Sequence, residues 1–239
     1  MTQPISYHPA SLVEESMQNI PDYYLNPFFM WMCTFVSYST VCADLLNIFR
    51  RYKVGMKPTG EVIYWQHDLQ GNCRAGKVMK YDNTGHRVKK LGAQWVHSLM
   101  GIDDFHLQQV PFGLHLLPSF PMDCSVAVVE SEKTALIAAA YHTLYFNNEN
   151  RLPLFIATGG AGNLKNTLKY LKGRHVVIFP DEDQVIEWSK IASQFAPSFR
   201  SLTIDTTVRQ KVIDGTLPPK SDYGDLLAQK YGAFPVTIV

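Results

Sequence analysis

Acidic residues fall where two apolar, strand-like runs end. Val126-Ala-Val-Val129 leads straight into Glu130, and His175-Val-Val-Ile-Phe179 leads through Pro180 into Asp181-Glu182-Asp183. Between them Leu154-Phe-Ile-Ala157 ends in Thr158-Gly159-Gly160. If these strands lie parallel in one sheet, Glu130, Asp181 and Asp183 share its carboxyl rim, where functional groups of such sheets gather. Carboxylates brought together repel one another unless a cation lies among them. Hard oxygen donors select Mg²⁺ or Mn²⁺, and Mg²⁺ completes its shell with water and substrate phosphates. Gly159 and Gly160 let backbone approach a phosphate closely. The chemistry to which these residue types point is metal-assisted reaction at a phosphodiester.

The elements that must hold these residues follow from the hydrophobic pattern. After about residue 120 the strand-like runs alternate with helical ones: Lys133–Tyr145, Leu164–Leu171, a helix through Trp188, the strand Ser201-Leu-Thr-Ile204 and a helix near Asp225–Lys230. Such alternation predicts a parallel sheet covered on both faces. The first half has a different pattern. Residues 24–50 predict one or two helices. Val62–Asp68 and Arg74–Tyr81 predict antiparallel strands, with turns at Asp68-Leu-Gln-Gly and Asp82-Asn-Thr-Gly. We therefore expect an α/β chain in two parts: a smaller basic α+β subdomain over 1–119, helical to about residue 50, and a Rossmann-like parallel-sheet domain over 120–239.

Charge separates the halves. The chain of 239 residues carries a net charge of +1 and 46% hydrophobic residues, a globular composition that excludes disorder and a uniformly basic nucleic-acid coat. Residues 50–90 nevertheless hold ten Lys/Arg against three acids, a local +7. Arg74, Lys77, Lys80, Arg87 and Lys89, beside Tyr64, Trp65 and Tyr81, would suit a groove that follows a nucleic-acid backbone and stacks its bases. Strand alternation puts Lys77 and Lys80 on opposite faces.

Other functions are disfavoured. The four cysteines include no CxxC pair, which argues against a structural zinc ribbon and a disulfide scaffold. His67, His86, His97, His106 and His115 match no metal motif and are expected to be structural. Gly159-Gly-Ala-Gly162 lacks dinucleotide-loop spacing, and Ser131 sits in no nucleophile elbow. Tyr23–Ala43 is free of charge and about as long as the ~20 residues that cross a bilayer. Its polar residues and its cap-plus-Pro27 start make a buried helix face the better expectation. With no signal-peptide pattern at the start, the expected location is cytoplasmic, with no membrane partner.

Val128-Val-Glu130-Ser-Glu-Lys-Thr-Ala, Thr158-Gly-Gly and Ile178-Phe-Pro-Asp181-Glu-Asp183 together resemble the toprim domain of bacterial-type primases and topoisomerases. Lys220-Ser-Asp222-Tyr-Gly-Asp225-Leu-Leu is similar to the acidic segment that closes toprim domains of phage and plasmid primases. Upstream, Asp68-Leu-Gln-Gly, Gly76–Tyr81, Gly85-His-Arg87 and Phe112–Leu117 resemble the basic subdomain that precedes toprim in primase-like proteins of mobile elements. The nearest resemblance is to an uncharacterised toprim family with such an upstream region.

The resemblance implies roles. Glu130 would act in acid/base chemistry or as a metal ligand, Asp181 and Asp183 would hold Mg²⁺ or Mn²⁺, and Asp222 and Asp225 would serve a second ion. Arg74, Lys77, Lys80, Arg87 and Lys89 would hold single-stranded DNA or a nucleoside triphosphate, near Gly159 and Gly160. The implied activity is primase-like nucleotidyl transfer in DNA replication, with a helicase or a zinc-binding protein as replication partner. A toprim nuclease using Lys133 near the site is an alternative. So is a degenerate module that only binds single-stranded nucleic acid or a partner. Ser131 and Thr134 stand where the resembled pattern has Gly and Asp, and Gln184-Val185 where it has Ala-Gly. These departures favour the degenerate module.

Overall fold

In a computed structural model describing residues 4–18, 20–35, 41–145 and 152–231, the chain divides into two units, one ending at His115 and the next beginning at Leu116.

The first unit is built on an antiparallel sheet of β1 (Val54–Met56), β2 (Val62–His67), β3 (Cys73–Met79) and β4 (Gln94–Trp95), in that spatial order. Helices α1 (Ala10–Gln18), α2 (Ile20–Leu25), α3 (Pro27–Phe35) and α4 (Val41–Arg51) precede it, and a single turn, α5 (Val96–Leu99), follows β4. Sequence reasoning finds β2, β3 and both turns but not α1, β1 or β4. Each turn is closed by its first aspartate. Asp68 accepts the Gln70 and Asn72 amides, and Asp82 accepts those of Thr84 and His86.

The sheet is buried on both faces. Ile63, Trp65, Cys73, Val78 and Val96 form one core with Val13 of α1, and the Trp65 indole donates to Ser16 Oγ at 2.9 Å. On the other face lie Tyr64, Phe112, Phe28, Phe49 and Tyr81, all buried, with Phe28 stacked on Tyr81 and the Tyr64 hydroxyl donating to that of Tyr81. Asn26 caps α3 by accepting the Phe29 amide, and Pro27 occupies the first helical position. The uncharged segment thus supplies core through Tyr23, Phe28, Phe29 and Met32, which are fully covered, while Tyr24, Leu25 and Met30 face solvent. Its residues 36–40 fall outside the described residues. Among the described residues, no helix is long and apolar enough to cross a membrane.

The second unit carries the expected parallel sheet. Strands β5 (Ser125–Val129), β6 (Leu154–Ala157), β7 (His175–Ile178) and β8 (Ser201–Ile204) lie in the order β6-β5-β7-β8, every pair parallel. Helices α6 (Glu132–Tyr145), α7 (Leu164–Lys169), α8 (Val185–Phe195), α9 (Thr207–Ile213) and α10 (Tyr223–Tyr231) alternate with the strands or follow them. The chain steps from β5 to β6 on one side and then crosses to β7 on the other. The switch point of the sheet therefore lies between β5 and β7, where a crevice opens at the carboxyl ends. At the opposite end Arg174, only 7% exposed, donates to the carbonyls of Leu117, Phe120 and Pro121 and ties the entry to β5 to the start of β7.

Gly76 of β3 lies under Trp65, and a Cβ there would sit 2.5 Å from the ring and 2.7 Å from Val96. Gly76→Ala is expected to destabilise the protein by about 1–3 kcal/mol through overpacking. Urea unfolding should show a lower midpoint at unchanged slope.

Candidate functional site

Glu130 directly follows β5, and its carbonyl accepts the Gly159 amide at 2.9 Å, which continues the β5–β6 pairing past the strand ends. Ser131 then caps α6, its Oγ accepting the Thr134 amide. This sets the half-buried Glu130 side chain at the mouth of the switch-point crevice. On the neighbouring strand the Phe179 amide still bonds to the Val128 carbonyl at 2.8 Å, and Pro180 carries the chain out to Asp181. Asp181 opens a tight turn, Glu182–Gln184, which leads into α8.

Two hydrogen bonds of Glu182, one through its backbone and one through its side chain, bring the remaining acids in. The Glu182 amide donates to the Ser221 carbonyl at 3.0 Å, and Glu182 Oε2 accepts the Lys220 amide at 3.2 Å. Lys220 takes up positive φ (66°) to make this contact. Glu182 is thus the tie that holds segment 218–222 against the Asp181 turn. Asp222 and Asp225 then form a reciprocal cap of α10. Each side chain accepts the other's amide, at 2.9 and 3.0 Å. Asp222 Oδ2 also accepts the Thr134 hydroxyl at 2.6 Å.

The electrostatics centre on Asp181. Burial, followed by the charges of Asp222, Glu130, Asp183 and Asp225, pushes its carboxyl up to about 8. All four acids expected from the sequence therefore act on this one group. Each has its own setting: Glu130 is half-buried, Asp183 is exposed, and Asp222 and Asp225 are engaged in the helix cap. Among the described residues, no three His, Cys, Asp or Glu side chains stand close enough to hold an ion as they are. The donors are all hard oxygens, and the strained proton affinity of Asp181 is what a divalent cation would relieve. In charge and donor chemistry the site fits such an ion.

The glycine turn is internally bonded. The Gly159 amide is taken by Glu130, and the Gly160 amide points to Thr158 Oγ1 at 3.3 Å. Gly159 and Gly160 have φ of 78° and 156°, and the Trp188 indole donates to Ala161 just beyond them. Lys133 stands half-buried on the first turn of α6, next in sequence to Glu132.

The basic candidates divide. Arg74 is 8% exposed, ion-paired with Asp68 at 3.3 Å, bonded to Gln108 and stacked over Tyr7, so it is a structural cation and not a nucleic-acid contact. Lys80 pairs with Glu61 at 3.2 Å. Lys77 is half-buried, while Arg87 and Lys89 are exposed. Tyr64, Trp65 and Tyr81 are buried at 0–5% exposure and offer no stacking surface, against the sequence expectation. The histidines serve packing: Trp95, His97, Phe105 and His8 stack in series, and His67 lies edge-on to His115. Burial lowers His8 and His67 to about 4, which keeps both neutral.

Sequence reasoning passed over the ties that place the acids: Ser131, Thr134 and Glu182. A Ser three residues before a Thr at a helix start signals a cap and could have been read. The reach of Glu182 to Lys220 leaves no local signal.

A family model described as Domain of unknown function (DUF6371) matches residues 26–182. No curated protein matches the sequence. Among solved structures, the chain is similar to a DnaG primase catalytic domain bound to single-stranded DNA, at 12% identity over 92% of this chain and 75% of that one, with a TM-score of 0.53. The catalytic core of the E. coli primase gives 11% identity, 93% and 75% coverage and a TM-score of 0.50. The primase fragment of the bacteriophage T7 primase-helicase gives 15% identity and a TM-score of 0.43, and this chain spans 66% of its length. The likeness is one of fold: the parallel-sheet unit has the toprim-type architecture of the primase catalytic core.

A carboxyl whose folded value lies above its unfolded one binds more protons in the native state, so its contribution to stability is lost as pH rises. For Asp181 that loss runs from about pH 4 to about pH 8. In chelator, urea unfolding of the wild type should show this decline, and Asp181→Asn should flatten it.

Proposed function

We propose that this chain, which belongs to the DUF6371 family, is a primase-like nucleotidyltransferase acting on DNA. The observation that supports this most directly is the gathering of five carboxylates around the β5–β7 switch point, where four of them raise Asp181. Structural proteins have little use for such repulsion, whereas perturbed carboxylates in a crevice mark functional sites. The similarity in fold to primase catalytic cores is consistent with it.

In this reading Glu130, Asp181 and Asp183 hold Mg²⁺ or Mn²⁺, with Asp222 and Asp225 nearby for a second ion. Bound there, divalent metal supplies charge to orient a nucleoside triphosphate and to stabilise the transferring phosphate. Glu130, half-exposed at the crevice mouth, is placed to accept a proton from an attacking 3′-hydroxyl. The Glu182–Lys220 and Glu182–Ser221 bonds hold the opposing acids in register for this. Arg87 and Lys89, exposed on the first unit, and Lys77 would contact single-stranded DNA or triphosphate. By the same resemblance, the setting is cytoplasmic replication of a mobile element, with a helicase or a zinc-binding protein as partner.

One observation favours a second reading, a module that binds single-stranded nucleic acid without turnover. Thr134 occupies the position of a resembled acid, and its hydroxyl bonds to Asp222. Product analysis also separates synthesis from toprim-type cleavage, since one lengthens a strand and the other shortens it.

Calorimetric titration with Mg²⁺ and Mn²⁺ should show binding that Asp181→Asn/Asp183→Asn abolishes. Template-directed synthesis should fall at least a hundredfold in Glu130→Gln, as removal of an acid/base group typically costs. Metal-independent DNA binding with no product in either variant or wild type would sustain the binding module and overturn the enzyme.

For single-stranded DNA, Arg87→Ala and Lys89→Ala should each weaken binding and lower the slope of log affinity against log salt by about 0.7. Arg74→Met should leave that slope unchanged, because its charge is spent on Asp68.

A further inference from the structure

The second unit holds a cavity of about 740 Å³ on the β8 side of the acidic rim, bounded by residues of α6, α9 and α10 and by the ends of β7 and β8. That volume lies within the roughly 300–1,000 Å³ typical of small-molecule sites. Its aromatic wall is made by Phe179 and Tyr223, stacked with centroids 4.2 Å apart and both partly exposed. The Tyr223 hydroxyl meets His142 Nε2 at 3.4 Å, and burial lowers that imidazole to about 4, so it is neutral and keeps its hydrogen-bonding capacity. Asp205 leaves β8 with its Oδ1 accepting the Thr207 amide at 2.8 Å. Among the described residues its Oδ2 has no partner. Lys211 reaches the same cavity from α9 and has no carboxylate partner among the described residues. Leu226 of α10 lines the opposite wall.

A flat apolar wall, an open carboxylate oxygen and an uncompensated ammonium in one cavity are complementary to a planar heterocycle with hydrogen-bond donors and a tethered anion. We propose that this cavity is a nucleotide-binding site distinct from the acidic rim. The base lies against the Tyr223–Phe179 wall, as stacking on aromatic side chains permits for any base. Asp205 accepts from an amino group or a ribose hydroxyl, and Lys211 takes the phosphate. The site needs no divalent metal, because none of its contacts involves the carboxylates of the rim. It is nonetheless joined to them covalently: Tyr223 follows Asp222, and Phe179 lies two residues before Asp181. Occupancy would thus bear on the segment that carries Asp222 toward Asp181.

The test is equilibrium binding of AMP and GMP to the full chain by calorimetry in chelator, with adenosine and inorganic phosphate as the separate halves of the ligand. Saturable one-to-one binding of a mononucleotide is expected, with adenosine and phosphate each at least tenfold weaker. Lys211→Ala, a surface change that leaves the core intact, should weaken it about tenfold, the loss of one charge-assisted contact. Leu226→Trp should abolish it by filling the cavity. Absence of saturable binding at millimolar mononucleotide would overturn the proposal. So would binding that survives Lys211→Ala and Leu226→Trp but is lost in Asp181→Asn, which would put the nucleotide on the rim. Because no metal is present, either failure leaves the reading of the acidic rim as it stands.

Discussion

Like charge held together against its own repulsion is the constraint around which the second unit is arranged. Asp181 cannot be surrounded by Glu130, Asp183, Asp222 and Asp225 unless other interactions force the approach. The parallel register supplies the first, placing the ends of β5 and β7 side by side. Glu182 supplies the second by anchoring Lys220 and Ser221. Thr134 supplies the third, with a hydroxyl bond that fixes Asp222 from the α6 side. A neutral hydroxyl at position 134 adds no further negative charge beside Asp222, which keeps the repulsion the segment must bear in check.

The parallel sheet and the acids at its rim were legible because they are local statements. Continuous apolar strands, helical spacing between them and an acid at the strand end are all written in short windows. The expected helices and strands after residue 120 appear within a few residues of their expected bounds, and α9 alone was passed over. The division of labour among the acids was not legible. That Asp222 and Asp225 cap each other, and that Glu182 ties down a loop thirty-eight residues away, depends on tertiary placement.

The basic half illustrates a different failure. Ten cations in residues 50–90 suggest an exposed basic sheet. The strands instead bury both faces, as helices cover one and aromatic residues the other. Burial changes the meaning of each residue. Arg74 becomes the partner of Asp68, and Trp65 and Tyr64 become core. Of the ten, Arg50 and Arg51 at the end of α4 and Arg87, Lys89 and Lys90 after β3 stay exposed to solvent. A charge count along the chain cannot see this, because it weights a buried ion pair and a solvated lysine alike.

The central position of β5 has a consequence for the order of assembly. Both of its neighbours arrive later in the chain, and a parallel pair forms only after an intervening crossover has been ordered. The segment 218–222 docks on the β7 end, so the carboxylates are fully crowded only once β5, β7 and this segment are all in place. Interactions completed after the folding barrier are felt mainly in the rate of escape from the native state. Whatever relieves the charge at Asp181, proton or cation, would therefore lengthen the lifetime of the folded unit while leaving the speed at which it forms almost untouched.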